Sequence, residues 1–133
     1  MAENEVVKED LTYSMQTAGA ELTKRMDQVG LKPAASLWLY VPDRNEWRLI
    51  LGIPGVEEEG PMKAYTTLQT ALNARPIEGF NLQNILLTSE RNDLFVALRQ
   101  MLGPRPGPDI HNIRFSKNVI GNLFIDDAYI YRL

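Results

Sequence analysis

Leu11, Met15, Ala18, Leu22, Met26 and Val29 recur at steps of four, three, four, four and three residues. That spacing draws one apolar stripe along a helix from about Asp10 to Val29, with Asp10 as N-cap, Gly30 just past its end and Lys32-Pro33 blocking continuation. The period then drops to two. Residues 36–41 and 46–51 are aromatic and branched on either side of Pro-Asp-Arg-Asn, which predicts a hairpin pairing Val41 with Glu46, Tyr40 with Trp47 and Trp38 with Leu49. One face then carries Trp38, Tyr40, Trp47, Leu49 and Leu51. The other carries Leu37, Leu39, Val41 and Ile50 beside Glu46 and Arg48, so the hairpin is apolar on both sides away from its loop. A sheet covered on both faces is implied.

Gly52 to Pro61 breaks the chain, and Pro61 suits the first position of a second helix carrying Met62, Tyr65, Leu68 and Leu72, ended before Pro76. A strand follows over about Asn81 to Thr88. Asn92 then caps a helix with Leu94, Leu98 and Met101 on one side, stopped by Gly103. Gly103 to Asp109 holds three prolines and two glycines, a stiff irregular connection. Beyond it, residues 112–120 and 123–133 flank Gly121-Asn122, a pair suited to a type II′ turn. Pairing Ile120 with Leu123 sets Val119 opposite Phe124, Lys117 opposite Asp126, Phe115 opposite Ala128 and Ile113 opposite Ile130 on one face. Asn118 and Ile125, Ser116 and Asp127, Arg114 and Tyr129, and Asn112 and Tyr131 share the other. A turn at Asp126-Asp127 is the competing account of this region. The order α-ββ-α-β-α-ββ, with no internal repeat, predicts a single α+β domain over 1–133: a mixed sheet of about five strands with helices packed on it, and residues 1–9 frayed or disordered.

Composition narrows the function. A chain of 133 residues with 44% hydrophobic and 23% charged residues has the make-up of an ordinary globular domain with one core. Net charge is −3, and no run of basic residues stands out, so nucleic acid is a poor expectation. There is no cysteine, which removes disulfides, thiolate metal sites and a thiol nucleophile together. The first ten residues are acidic without an apolar core, and no stretch of about 18 apolar residues occurs, so a soluble cytoplasmic protein without membrane contact is expected.

Chemistry has few places to sit. Pro42-Asp43 followed by Glu46-Trp47-Arg48 is similar in residue types to the PD-(D/E)xK nuclease pattern, in which two acids hold a divalent metal and a lysine steadies charge. It departs from that pattern in placing the acids three positions apart across a loop and in having Arg48 where the lysine belongs. Asp43 shaping a turn, with Glu46 paired to Arg48 or Arg44, is the simpler reading. Asp126 opposite Lys117, among Val119, Phe124, Ala128 and Phe115, is the better candidate, as an ion pair or as the floor of a pocket. His111 is the only histidine and has no assignable partner. The glycines lack the spacing of a phosphate loop, and Tyr129, Tyr131, Arg114 and Arg132 fit amphipathic strands better than a base-stacking surface.

Three functions follow as expectations. The first is a non-enzymatic module that binds another protein or itself, a homodimer being one form, through an exposed strand edge and the first helix. Its contact residues would be Leu11, Met15, Leu22, Met26, Trp38 and Trp47, and it needs no cofactor. The second is a Mg²⁺- or Mn²⁺-dependent hydrolase with Asp126, Asp127, Glu46 and Asp43 as ligands and Lys117 or Arg48 as charge stabiliser. The third is a small-ligand site floored by Asp126 and Lys117.

Overall fold

In the computed structural model, which describes residues 7–79, 81–104 and 109–133, the first apolar stripe forms α1 (Tyr13–Gln28). Thr12, not Asp10, sets its start: the Thr12 hydroxyl accepts the Met15 N–H at 3.1 Å. Leu11 therefore lies outside the helix, yet it is buried. At the other end the Gly30 N–H donates to Asp27 O and the Leu31 N–H to Met26 O. This double closure needs the left-handed backbone that Gly30 adopts at φ +89°.

The hairpin of β1 (Ala35–Val41) and β2 (Glu46–Ile53) has the register that alternation predicts, Val41 opposite Glu46, Tyr40 opposite Trp47 and Trp38 opposite Leu49. Its loop is a 3₁₀ turn over Pro42–Arg44, closed by Asn45 in the left-handed region at φ 48°. The break after β2 contains a short helix, α2 (Val56–Glu59), absent from the sequence reading because four residues are too few to show a period. It leads through Gly60 into α3 (Pro61–Ala74). The next strand is shorter than expected. Leu82–Asn84 forms a 3₁₀ turn capped by Asn81, so β3 is Ile85–Ser89. Then come α4 (Asp93–Leu102), capped by Asn92 as expected, and the hairpin of β4 (Ile113–Ile120) and β5 (Leu123–Arg132). Residues 1–6 of the stretch 1–9 where fraying is expected, and residues 105–108 of the proline-rich connection, lie outside the described residues.

The strands form one mixed sheet in the order β3-β2-β1-β5-β4, with β2 and β3 parallel and the other neighbours antiparallel. The chain is a single α+β domain with helices on both faces. On one face α1, α2 and α3 press Leu22, Met26, Val56 and Leu68 onto Trp38, Tyr40, Trp47, Leu49 and Tyr131. On the other, α4 sets Leu94, Phe95 and Leu98 against Leu37, Ile50, Ile125, Ala128 and Ile130. Each of these larger side chains contributes roughly 1.5–3 kcal/mol when fully removed from water. Met62 and Met101, placed on apolar helix faces by spacing, are exposed, and Phe95 is the aromatic that α4 buries.

The final hairpin departs from regular alternation. Ile113 to Ser116 pair with Ile130 to Asp127 as expected, and Asn118 again faces Ile125. Between them Lys117 takes φ +52°, a left-handed conformation foreign to a regular strand. Beyond that point the faces exchange: Ile125 is buried in the core beneath α4, while Val119 and Phe124, expected inside, are exposed. The competing turn at Asp126-Asp127 does not form, since β5 runs unbroken through both.

Candidate functional site

The densest polar cluster lies at the loop end of the β1–β2 hairpin, and it is organised by Asn45. Asparagine tolerates the left-handed conformation this loop needs. In that position its side-chain amide donates to Val7 O at 2.9 Å and accepts the Glu9 N–H at 2.8 Å, while the Tyr40 hydroxyl donates to the same oxygen at 2.6 Å. The Trp47 indole N–H donates to Glu9 O at 2.8 Å. Val7, Lys8 and Glu9 are thereby laid as an extended strap across the hairpin end.

Lys8 reaches from this strap to β5, with its side chain 40% exposed. Its ammonium donates to Asp126 Oδ2 and to Asp127 Oδ2, each at 3.0 Å, and lies 4.6 Å from the centre of the Tyr40 ring and 5.8 Å from that of Trp47. Arg114 closes the other side with two bonds of 2.6 Å to the Asp127 carboxylate, its guanidinium 5.4 Å from the Trp47 ring centre. Successive residues of a regular strand point to opposite faces. Asp126 and Asp127 reach one nitrogen because the alternation breaks opposite the left-handed Lys117.

The electrostatics follow from this contact set. Burial pushes the Asp127 carboxyl up, but its hydrogen bonds to Arg114 and Lys8 outweigh that and hold it below the usual carboxylate range. Burial likewise pulls Lys8 down, and the bonds to Asp127 and Asp126 overcome it, so the ammonium titrates above an ordinary lysine. Both groups are driven further from neutrality. A general acid or base needs the opposite, a pKa drawn toward the working pH.

The remaining sequence candidates are spread apart. Glu46 lies 3.7 Å from Arg48 and 3.9 Å from Arg44, and Asp43 is exposed in the loop. Among the described residues no three histidines or carboxylates stand together as cation ligands, so Asp126, Asp127, Glu46 and Asp43 are not gathered into one metal centre. Lys117 does meet Asp126, at 3.7 Å, but its side chain is largely in solvent and the Asp126 carboxylate turns to Lys8. Val119, Phe124, Ala128 and Phe115 do not enclose Asp126 as expected, since Val119 and Phe124 face solvent. A cleft of about 330 Å³ lies elsewhere, between the end of α1 and the start of α3, lined by Leu31, Ile53, Val56, Ala64 and the Glu59–Lys63 pair.

The residues assigned to a protein contact are also differently placed. Leu11, Leu22, Met26, Trp38 and Trp47 are buried in this chain's own core, with Met15 packed against them. The stripe of α1 covers its own sheet, and a partner would have to lift the helix to reach it. Of the strand tyrosines, Tyr131 is buried and donates to Gln16 O at 2.6 Å, and Arg132 is bound to Asp27. The His111 N–H donates to Tyr131 O at 2.7 Å, which continues the ladder just before β4. Lys8 and Asn45 escaped the sequence reading. Lys8 sits in a segment that composition marks as frayed, and only the asparagine at the loop's end hinted at an αL position with a free side-chain amide.

None of the described helices is long and apolar enough to cross a membrane. Comparison with protein-family models, with curated proteins and with solved structures gave no match.

Proposed function

We propose that the chain is a cytoplasmic, non-enzymatic protein-interaction module, and that its contact surface is the outer part of the β4–β5 hairpin. The observation that carries this reading is a cross-strand pair: Val119 and Phe124 stand directly opposite each other and are 62% and 56% exposed. A matched apolar pair on a projecting hairpin costs solubility and contributes nothing to this core, as expected of a surface that is covered in use. On one side β4 is the last strand of the sheet, and among the described residues no strand pairs with its outer edge.

The partner best suited to this surface is a second copy of the chain. Lys117 and Asp126, two positions along the strands from the apolar pair, are one cation and one anion joined at 3.7 Å. A two-fold arrangement sets the apolar pairs together and leaves each Lys117–Asp126 pair intact beside them, so that no charge is left unpaired. So small an apolar centre implies a weak dimer, with a dissociation constant on the order of a micromolar or higher. Sedimentation across a hundredfold range of concentration tests this. The wild type is expected to shift from monomer toward dimer, and Val119→Ser/Phe124→Ser to remain a monomer with an unchanged melting temperature. A wild type that stays monomeric throughout, or a double variant that still dimerises, overturns the reading.

A further inference from the structure

We infer that Tyr40, Asn45, Trp47, Asp126 and Asp127 form a receptor for a lysine carried on an extended peptide, and that Val7–Lys8–Glu9 is its tethered occupant, exchangeable for a lysine-bearing segment of a partner protein. The selectivity is written in the contacts. Asp126 and Asp127, with side chains 17% and 7% exposed, each offer an oxygen to one nitrogen at 3.0 Å. Two acceptors converging on a single nitrogen match the rotatable donors of an ammonium and not the planar fork of a guanidinium. The rings of Tyr40 and Trp47 lie close enough to add cation–π attraction.

The residues on either side of the lysine are held by backbone alone. The Asn45 amide grips Val7 O and the Glu9 N–H, and the Trp47 N–H takes Glu9 O. The Val7 side chain is 83% exposed and Glu9 is also exposed, so neither flanking side chain is read. What these contacts specify is a lysine between two arbitrary residues in extended form, the kind of short signal that strand-like peptide recognition uses. Tethering gives the chain's own strap a high effective concentration, which an outside segment must overcome. The site does not depend on the Val119–Phe124 surface, and Val119→Ser/Phe124→Ser is expected to leave it intact.

The test uses the full chain and two probes, acetyl-Val-Lys-Glu-amide and the same peptide with norleucine for lysine. Binding is read from the indole N–H resonance of Trp47, assigned with Trp47→Phe, because that proton is donated to the strap. Lys8→Ala loosens the tethered occupant. It is expected to bind the lysine peptide at least about tenfold more tightly than the wild type does. The norleucine peptide and the Lys8→Ala/Asp127→Asn variant are expected to show no saturable shift. Should Lys8→Ala not fold, Lys8→Met keeps the aliphatic stem without the charge and is titrated in its place. Equal binding of the two peptides, or no Trp47 shift in either protein at about 10 mM peptide, overturns the inference. A Trp47 shift in the wild type that follows protein concentration without peptide also overturns it, in favour of straps exchanged between copies.

Discussion

Arg132 is 3% exposed, and both of its terminal nitrogens donate to the Asp27 carboxylate at 2.9 Å, one of them also to Pro33 O at 3.0 Å. This pair fastens the end of β5 to the last turn of α1. Asp27→Ala removes the carboxylate that both terminal nitrogens of this buried guanidinium use, and the expected loss of unfolding free energy in urea is about 3–5 kcal/mol. A loss below about 1 kcal/mol would mean that water replaces the carboxylate. Gly19 presents the opposite case, a residue needed for what it lacks. A Cβ there would collide with the Tyr131 hydroxyl and stand 2.6 Å from the Trp38 indole nitrogen. Gly19→Ala is expected to cost about 1–3 kcal/mol by overpacking, although alanine is the better helix former. Calorimetry of the two proteins decides the sign. Neither site was legible in the sequence: Asp27 and Arg132 are far apart along the chain, and Gly19 reads as an unremarkable interruption of the α1 stripe.

Local elements were legible where local chemistry decides them. The α1 stripe, the register of β1 with β2 and the Asn92 cap follow from periodicity and short-range hydrogen bonding, and the structure has all three. The final hairpin kept its pairing but not its faces, because alternation assumes a regular strand and Lys117 leaves it. That one residue moved Ile125 into the core, sent Val119 and Phe124 out, and brought Asp126 and Asp127 to the same lysine. The strap contributed by Lys8 was invisible for a different reason: three residues are too few to show a period, and their order comes from the hairpin they cross. Its dependence on pH can be signed. Asp127 has its pKa lowered in the folded state, so its contribution is complete above the unfolded value of about 4 and is lost as pH falls through the folded value. Lys8 is raised, so its contribution is complete below about 10.4 and is lost as pH rises through the folded value. Urea titrations from pH 7 down to pH 2 are expected to show a steeper loss of stability in the wild type than in Asp127→Asn; parallel curves would remove Asp127 from the account. Asn45→Ala is expected to speed hydrogen exchange at the Glu9 amide, which loses its acceptor, while leaving exchange in β1 unchanged.

Seen whole, the molecule is a sheet wrapped on both faces, with one cluster of paired charges at the loop end of the β1–β2 hairpin. Mg²⁺ or Mn²⁺ at millimolar concentration is expected to leave the melting temperature within about 1 °C of its value in EDTA, since Lys8 and Arg114 already hold the Asp126–Asp127 carboxylates. A rise of several degrees that Asp126→Asn abolishes would instead favour the metal-dependent hydrolase. The strand order was the part of the fold least readable in advance, because no local signal says which distant strand lies beside β1. On one side β1 meets β2 across a tight loop, and on the other it meets β5, with Leu39 opposite Ala128 about ninety residues away. The two halves of the sheet are thus acquired on different clocks. The first hairpin needs only a short loop to close, on a scale of microseconds, whereas the seam between β1 and β5 waits for a long excursion of chain and the loss of entropy that goes with it. Until that seam closes, Leu37 and Trp38 remain open on their β5 side. The middle of the finished sheet is then the last part to be protected, and an interrupted refolding experiment should find the amides bonded within the β1–β2 and β4–β5 hairpins guarded before those that bond across the β1–β5 seam.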